Sequence, residues 1–412
     1  MTRVMFFGDL APTGFGTVTM DLGRALLDLG HDVRFVSQNE VGELPEPFAS
    51  RTFIVNDPAI VDPEKAETFG VDSLSLSALG VAGIIDGTLW SDGWKAEAGV
   101  MLGDFTAARM MVLGDTRATE AFRSVPFFHY VPIEGIDLPP AWADLWSVVH
   151  PVAMSEFGAD QIETVTHKRP PVVYHGVDTT VFRPVEDKRL RLGDKQLRDK
   201  AACRKFFGGT GNGRWLFRAD RNMPRKRFAS MLRALAPVMA ERPDVLLVIH
   251  CRAFDQGGNL HDLISKYPAH IARRIVLTGL VEEYGTVPRD MLIALYNTAD
   301  VYVSTSAEGF GLTIAEAMAC GVPAVGMAYS AVPEVIGPGG LLAPVGGLID
   351  NEYDHAWAVV NEREFGVQVA RLLDDPALRA SMGKAARKHV VASFSWATAA
   401  RQFSDLILEA TA

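Results

Sequence analysis

Short, uninterrupted apolar runs recur along the chain, each followed by a turn and then by apolar residues spaced three and four apart. This alternation constrains the fold more than any other feature. A strand that is apolar at every position must be covered on both faces, which is the mark of a parallel sheet. The helical stretches between strands supply that cover. The first instance opens the chain. Val4-Met5-Phe6-Phe7 reads as a buried strand and Ala11 to Gly16 as a turn. Val18, Leu22, Ala25, Leu26 and Leu29 then share one helical face that stops at Gly30. Val33, Phe35 and Ser37 begin the next strand, and strand-like pieces follow at 127–131, 147–154 and 172–174. A second series has strands at 215–217, 245–249, 275–277, 301–304 and 322–325, and helices at 228–239, 291–296 and 312–319. Two doubly wound α/β domains follow, with a cleft between them and ligands beyond the carboxyl ends of the strands. The first covers residues 1–185 and the second 206–390. The polar stretch 186–205 reads as a linker or an exposed helix.

Composition narrows the class. The 412 residues are 48% apolar and 22% charged, which excludes a disordered or fibrous chain. Cys203, Cys251 and Cys320 form no CxxC pair, so neither a disulfide scaffold nor a zinc module is expected. The opening apolar stretch is too short for a signal peptide. The long uncharged run 317–333 is broken by Gly321, Pro323, Gly326 and Pro333, so it reads as helix, turn and strand, not as a membrane span. A soluble, cytoplasmic protein is expected. Charge is uneven: residues 1–180 hold 25 acids and 11 bases, a balance of −14, whereas the whole chain stands at −10. The first part is a poor surface for a polyanion, and the second, at +4 by difference, suits phosphates.

Three loops carry chemistry. Gly14-Phe15-Gly16 sits between strand and helix, where glycines and a helix start let backbone N–H groups approach an anion. A plain tight turn explains it equally well. No acid ends the second strand at a ribose position, which disfavours a nicotinamide enzyme. Arg221-Asn222-Met223-Pro224-Arg225-Lys226-Arg227 follows a strand, so it lies at the ligand end of the sheet. Four cations there repel one another unless an anion sits among them, and a diphosphate fits. The other reading is a solvated basic loop. The most informative segment runs from Glu308 through Gly309, Phe310, Gly311, Leu312, Thr313 and Glu316 to Pro323. Its glycines permit close backbone approach, and its helix start presents N–H groups. Glu308 can accept from sugar hydroxyls and Glu316 from a ribose. Alternatively, the first is a helix-start acid and the second an exposed helix acid. His129 ends a strand. It is either a reacting-centre residue or a core histidine with both nitrogens satisfied. Glu134 and Asp137 are loop acids, or, under the resemblance given below, line the acceptor side. His175 and His250 are read as structural, and Asp9 has no assigned role. No DxD pair occurs in the sequence, so no metal is expected.

The E-x7-E spacing of Glu308 and Glu316 resembles the signature of GT-B-fold retaining glycosyltransferases, family 4. Other segments agree in order: Pro12 to Gly16, Ser155-Glu156-Phe157-Gly158, Val173 to Asp178, Arg221 to Lys226, Leu295 to Val301, and Phe394-Ser395-Trp396. The resemblance spans nearly the whole chain. It implies two Rossmann-like domains facing across a cleft, with helix 391–412 crossing back to the first. It implies a nucleotide-sugar donor, with UDP favoured from the family alone, and an unidentified hydroxyl acceptor. Arg221 and Lys226 would neutralise the diphosphate. Glu308 would hold the transferred sugar and Glu316 the ribose. Backbone groups of Phe310, Gly311 and Leu312 would line the donor, with Thr313 near a phosphate and the Gly14–Gly16 turn on the donor side. His129 would contact the transferred sugar or position the reacting groups. The departing phosphate would take the acceptor proton, so no cofactor and no dedicated base are needed. Arg225 and Arg227 are alternative cations. Rival readings are transfer to a hydroxymethylated base in DNA, motivated by the basic arc 214–227, sugar-nucleotide epimerisation or hydrolysis, and a non-enzymatic, lectin-like or scaffold protein with a decayed site.

Overall fold

A computed structural model of the 412-residue chain describes residues 1–11, 13–37, 43–54, 82–83, 85–87, 90, 92–210, 212–285, 287–351 and 355–412. Pro12, in the first glycine turn, lies outside the described residues. The chain divides into two compact units. The first is Met1–Gly176 with Glu352–His355 and Ser395–Ala412, and the second is Val177–Asn351 with Ala356–Phe394.

The first unit holds six parallel strands: β1 (Arg3–Phe7), β2 (Asp32–Ser37), β3 (Thr52–Ile54), β4 (Ala98–Leu102), β5 (Phe127–Val131) and β6 (His150–Ala153). Their order is β3-β2-β1-β4-β5-β6. Helix α1 (Gly14–Asp28) buries Val18, Leu22 and Leu26, as the spacing predicts. Thr13 caps it by accepting from Gly16 N–H at 3.0 Å. Gly16 is obligatory there, because a Cβ would lie 1.7 Å from the Ala11 carbonyl oxygen. The C-terminal helix Trp396–Thr411 belongs to this unit. Its Phe403 meets Tyr130 edge-on at 5.0 Å, and Ser404 bonds the His31 ring at 2.8 Å.

The second unit repeats the plan with β7 (Arg214–Ala219), β8 (Val245–His250), β9 (Ile275–Leu277), β10 (Val301–Val303), β11 (Ala324–Met327) and β12 (Gly340–Ala343). All neighbours are parallel, in the order β9-β8-β7-β10-β11-β12. Helix α2 (Phe228–Glu241) buries Met231, Leu232, Leu235 and Val238, each a side chain whose burial is worth roughly 1.5–3 kcal/mol. Helix α3 (Leu312–Ala319) is buried over Ile314–Ala319, its glutamate included.

Residues 186–205 are not a free linker. They form the ribbon Leu190–Leu192 with Lys195–Leu197 and most of helix Lys200–Phe206, all in the second unit. Lys200 and the buried Arg204 both reach Asp300, at 3.0 Å and 2.5 Å, and Asp300 also accepts from Trp215 N–H at 2.8 Å. Two of the cations that suggested exposure, Lys200 and Arg204, are absorbed by a long-range partner, while most of the segment is exposed. The boundary falls at Gly176 and Val177, nine residues before the position expected from the sequence. Segment 172–174 contributes only an isolated bridge from Val172 to Ala153. Among the described residues, no helix is long and apolar enough to cross a membrane.

Candidate active site

In each sheet the strand order reverses beside the first strand, and that switch point is where a doubly wound sheet opens to ligands. In the second unit it lies between β7 and β10. The loops leaving their carboxyl ends are residues 220–227 and 304–311, so topology alone brings the basic cluster and Glu308 together.

Lys226 Nζ stands between two carboxylates, 2.6 Å from Glu308 Oε1 and 2.7 Å from Asp220 Oδ1. Ser306 Oγ donates to the same Glu308 oxygen at 2.6 Å, and Arg225 reaches Oε2 at 3.4 Å. Burial would raise the Glu308 carboxyl, but the Lys226 and Arg225 charges and the hydrogen bonds from Lys226 and Ser306 outweigh it and hold it at about 2. The Glu308 backbone is pinned as well. Its N–H donates to Ser330 Oγ at 2.9 Å, and its carbonyl accepts from Ala331 N–H at 3.2 Å. Ser330 adopts a left-handed φ of 53°, as does Arg227 at the start of α2. Such strain persists only where surroundings over-determine it, and functional sites collect it.

Beneath the loops lies Arg218, fully buried inside β7. Its guanidinium donates to Asp220 Oδ2 at 3.1 Å, to Thr305 Oγ1 at 2.9 Å, to Ser306 Oγ at 3.2 Å and to the Lys226 carbonyl at 2.5 Å. One side chain thus ties both loops. Sequence reasoning passed over Arg218, Asp220 and Ser330. For Arg218 a signal existed: a cation inside the apolar run 215–219 must find buried partners.

Helix α3 supplies the rest of the segment. Gly311 precedes it with a φ of 102°, a conformation that favours glycine. The first N–H groups of α3 lack intrahelical partners by geometry. Phe310 is buried and meets Phe394 edge-on at 5.1 Å. Thr313 Oγ1 lies 2.9 Å from the Tyr302 hydroxyl. Glu316 is not an exposed helix acid: it is buried and accepts from the Tyr296 hydroxyl at 2.7 Å. Arg221 is placed differently from Lys226. It is exposed and pairs at 2.8 Å with Asp255, on the hairpin Phe254–Asp255 with Gly258–Asn259. The second cation on Glu308 is therefore Arg225.

The remaining sequence candidates lie in the first unit. His129 is fully buried. Its Nδ1 accepts from Trp146 Nε1–H at 3.2 Å, which leaves Nε2 to donate to the Gly103 carbonyl at 3.2 Å. Burial lowers its pKa to about 4, with the Gly103 bond opposing. This geometry matches the core histidine with both nitrogens satisfied. The turn at Gly14, Phe15 and Gly16 starts α1. A cavity of about 100 Å³ at the carboxyl ends of β1 and β4 is lined in part by Asp9, Phe15, Gly103 and Asp104. Asp9 accepts from Ala11 N–H at 3.0 Å, which fixes the turn. Glu134 is half-buried, and Asp137 is exposed with a φ of 60°.

Two doubly wound units of this strand order form the GT-B fold. The fold is shared across the whole chain with sucrose-phosphate synthase from Thermosynechococcus elongatus, at a TM-score of 0.71, 17% identity and 99% coverage of both chains. Anabaena HepE in complex with UDP-glucose gives a TM-score of 0.71 at 16% identity, covering 99% of this chain and all of the other. At such identities the likeness is one of fold. Residues 212–389 match the family described as glycosyl transferases group 1. It is 27% identical over 240 residues to a GDP-mannose-dependent monoacylated alpha-(1-6)-phosphatidylinositol monomannoside mannosyltransferase of Corynebacterium glutamicum, covering 56% of this chain and 54% of that one. A D-inositol 3-phosphate glycosyltransferase of Mycolicibacterium gilvum is 30% identical over 253 residues, covering 60% of this chain and 48% of the relative. The chain spans about half the length of the curated relatives it matches.

Proposed function

We propose that the chain is a retaining glycosyltransferase that takes a nucleotide-sugar on its second unit, with fixed cations in place of a metal ion. The carrying observation is Lys226, with Arg225 beside it, set against Glu308 at the switch point between β7 and β10. Cations held in a desolvated site stabilise charge growing on a departing diphosphate without reorganising at that moment. In this reading Lys226 and Arg225 take the diphosphate, and Arg221 serves from the Asp255 side. Glu308 accepts from hydroxyls of the transferred sugar and Glu316 from the ribose. The α3 start, from Gly309 to Thr313, meets the phosphates. The departing phosphate accepts the proton of the acceptor hydroxyl. His129, with both nitrogens engaged, positions its neighbours and does not carry a proton. The Gly14–Gly16 turn, Glu134 and Asp137 are assigned to ligand contacts of the first unit. The buried thiols of Cys203, Cys251 and Cys320 suit a reducing, cytoplasmic compartment.

A relative is named for GDP-mannose and a protein of the same fold holds UDP-glucose, so the UDP expectation needs a direct screen. Nucleoside diphosphates are compared by thermal shift, where a ligand at about 100 times its Kd stabilises by about 2.7 kcal/mol. Transfer is then followed with the matching sugar donor, and product anomers are read by NMR. A stabilising diphosphate and a product with the donor's anomeric configuration are expected. No stabilisation by any diphosphate, or an inverted product, contradicts the reading.

The DNA reading finds no support at the basic arc. Arg214 sits at the amino end of β7, roughly 20 Å of strand from the cluster 221–227, and is paired with Asp244 and Asp374. The first part, at a balance of −14, also repels phosphates. Duplex DNA should give no gel shift at low salt.

A further inference from the structure

We propose that Asp220 is a positioning residue that keeps Lys226 in place while Glu308 and the donor diphosphate exchange as the lysine's second partner. The inference rests on the donor reading above.

The groups of the cluster largely neutralise one another. Arg218, Arg225 and Lys226 bring three positive charges, and Asp220 and Glu308 two negative ones. Buried charges stay ionised only when paired, so both carboxylates are occupied. The two are not held alike. Asp220 shares Lys226 but is also gripped through its other oxygen by Arg218, which is itself anchored on Thr305, Ser306 and the Lys226 carbonyl. The partners of Glu308 are Lys226, Ser306 and the looser Arg225 contact at 3.4 Å. Two of those three are the cations that a diphosphate would claim.

An incoming diphosphate adds at least two negative charges to a cluster with one net positive charge. Lys226 cannot serve three anions at close range. The partner that yields is the one whose remaining cation, Arg225, the diphosphate also claims, which is Glu308. Released from Lys226, its carboxylate turns to the hydroxyls of the sugar that the diphosphate carries. Diphosphate binding and sugar holding are thereby coupled, and Asp220 holds the lysine at the phosphate position throughout.

The test compares the full-length parent with Asp220→Asn and Asp220→Glu. Affinity for UDP and for GDP is measured by calorimetry, kcat and KM with the donor that turns over, and melting temperature in the same buffers. Removing the fixed negative charge leaves the diphosphate as attractive as before, so diphosphate affinity should stay within about threefold or tighten. With the lysine free to swing and Glu308 still tied to it, kcat should fall at least tenfold. Asp220→Glu should recover at least a third of the lost kcat. A proportional loss of affinity and kcat, or an unchanged kcat in a folded Asp220→Asn protein, overturns the inference while the donor reading stands. An Asp220→Asn chain that does not fold leaves the decision to Asp220→Glu: diphosphate affinity within threefold of the parent with a reduced kcat supports positioning, and equal losses of both overturn it. If the parent binds neither diphosphate, the donor reading falls and this inference with it.

Discussion

Lys226 gathers two buried carboxylates around one ammonium. Removing its ammonium leaves Asp220 and Glu308 buried without their common cation, and breaking a buried pair in this way costs about 3–5 kcal/mol. Lys226→Ala should therefore lose both transfer and stability, read by turnover and by chemical denaturation. Glu308→Gln should lose transfer with a smaller stability change. The carboxyl also sets a pH dependence. Its folded pKa lies near 2, below the ordinary value of 4.5, so its contribution is present above 4.5 and disappears as pH falls toward 2. Denaturation curves between those limits should be flatter for Glu308→Gln than for the parent. At this scale the sequence was partly legible. Glu308 and Lys226 stand in loops after apolar strands, where a charge meets either a ligand or a buried counter-charge. Asp220 was passed over because an acid within a basic cluster looks like local neutralisation. Ser330 lies 22 residues from the Glu308 N–H it accepts from, and local spacing carries no trace of such a bond. Arg221 and Arg225 could not be ranked, because the choice depends on Asp255, on a hairpin packed from elsewhere.

The elements follow from simple packing rules, and two glycines of one turn separate those rules. Gly16 faces the Ala11 carbonyl at a distance no Cβ tolerates, whereas a Cβ on Gly14 would enter open space. Gly16→Ala should cost at least about 2 kcal/mol, or roughly 4–8 °C in Tm for a unit of this size. Gly14→Ala should be neutral or stabilising by up to about 1 kcal/mol, since alanine loses less backbone entropy in a helix. Differential scanning of both variants checks the contrast. The strands and α3 were readable because a run apolar at every position has one main use. Residues 186–205 misled because two of their cations, Lys200 and Arg204, are satisfied by Asp300, about one hundred positions away. Polarity in sequence marks exposure only when no buried partner waits.

The molecule repeats one sheet order twice, with an acidic first part and a mildly basic remainder. That architecture was legible from alternation alone. The division of the chain was less so, since the boundary at Gly176 and Val177 depends on which sheet each segment joins. Acid sensitivity belongs to this scale. Burial lowers His129 and His250 to about 4 and His175 to about 3, from 6.5, so all three are neutral when folded at neutral pH. The unfolded chain takes up their protons first as pH falls below 6.5. Stability should then decline by about 1.4 kcal/mol per pH unit for each histidine, down to the folded pKa. Urea midpoints from pH 7 to 5 check this, and a flat profile contradicts it. In the proposed reaction, fixed cations of the second unit receive the diphosphate unaided. Calorimetric titration of the parent and Lys226→Ala with a nucleoside diphosphate, in excess EDTA, tests it most directly. Binding should be left intact by EDTA in the parent and weaken on the order of a hundredfold in the variant. Binding that vanishes with the chelator, or that survives loss of the lysine, would contradict it.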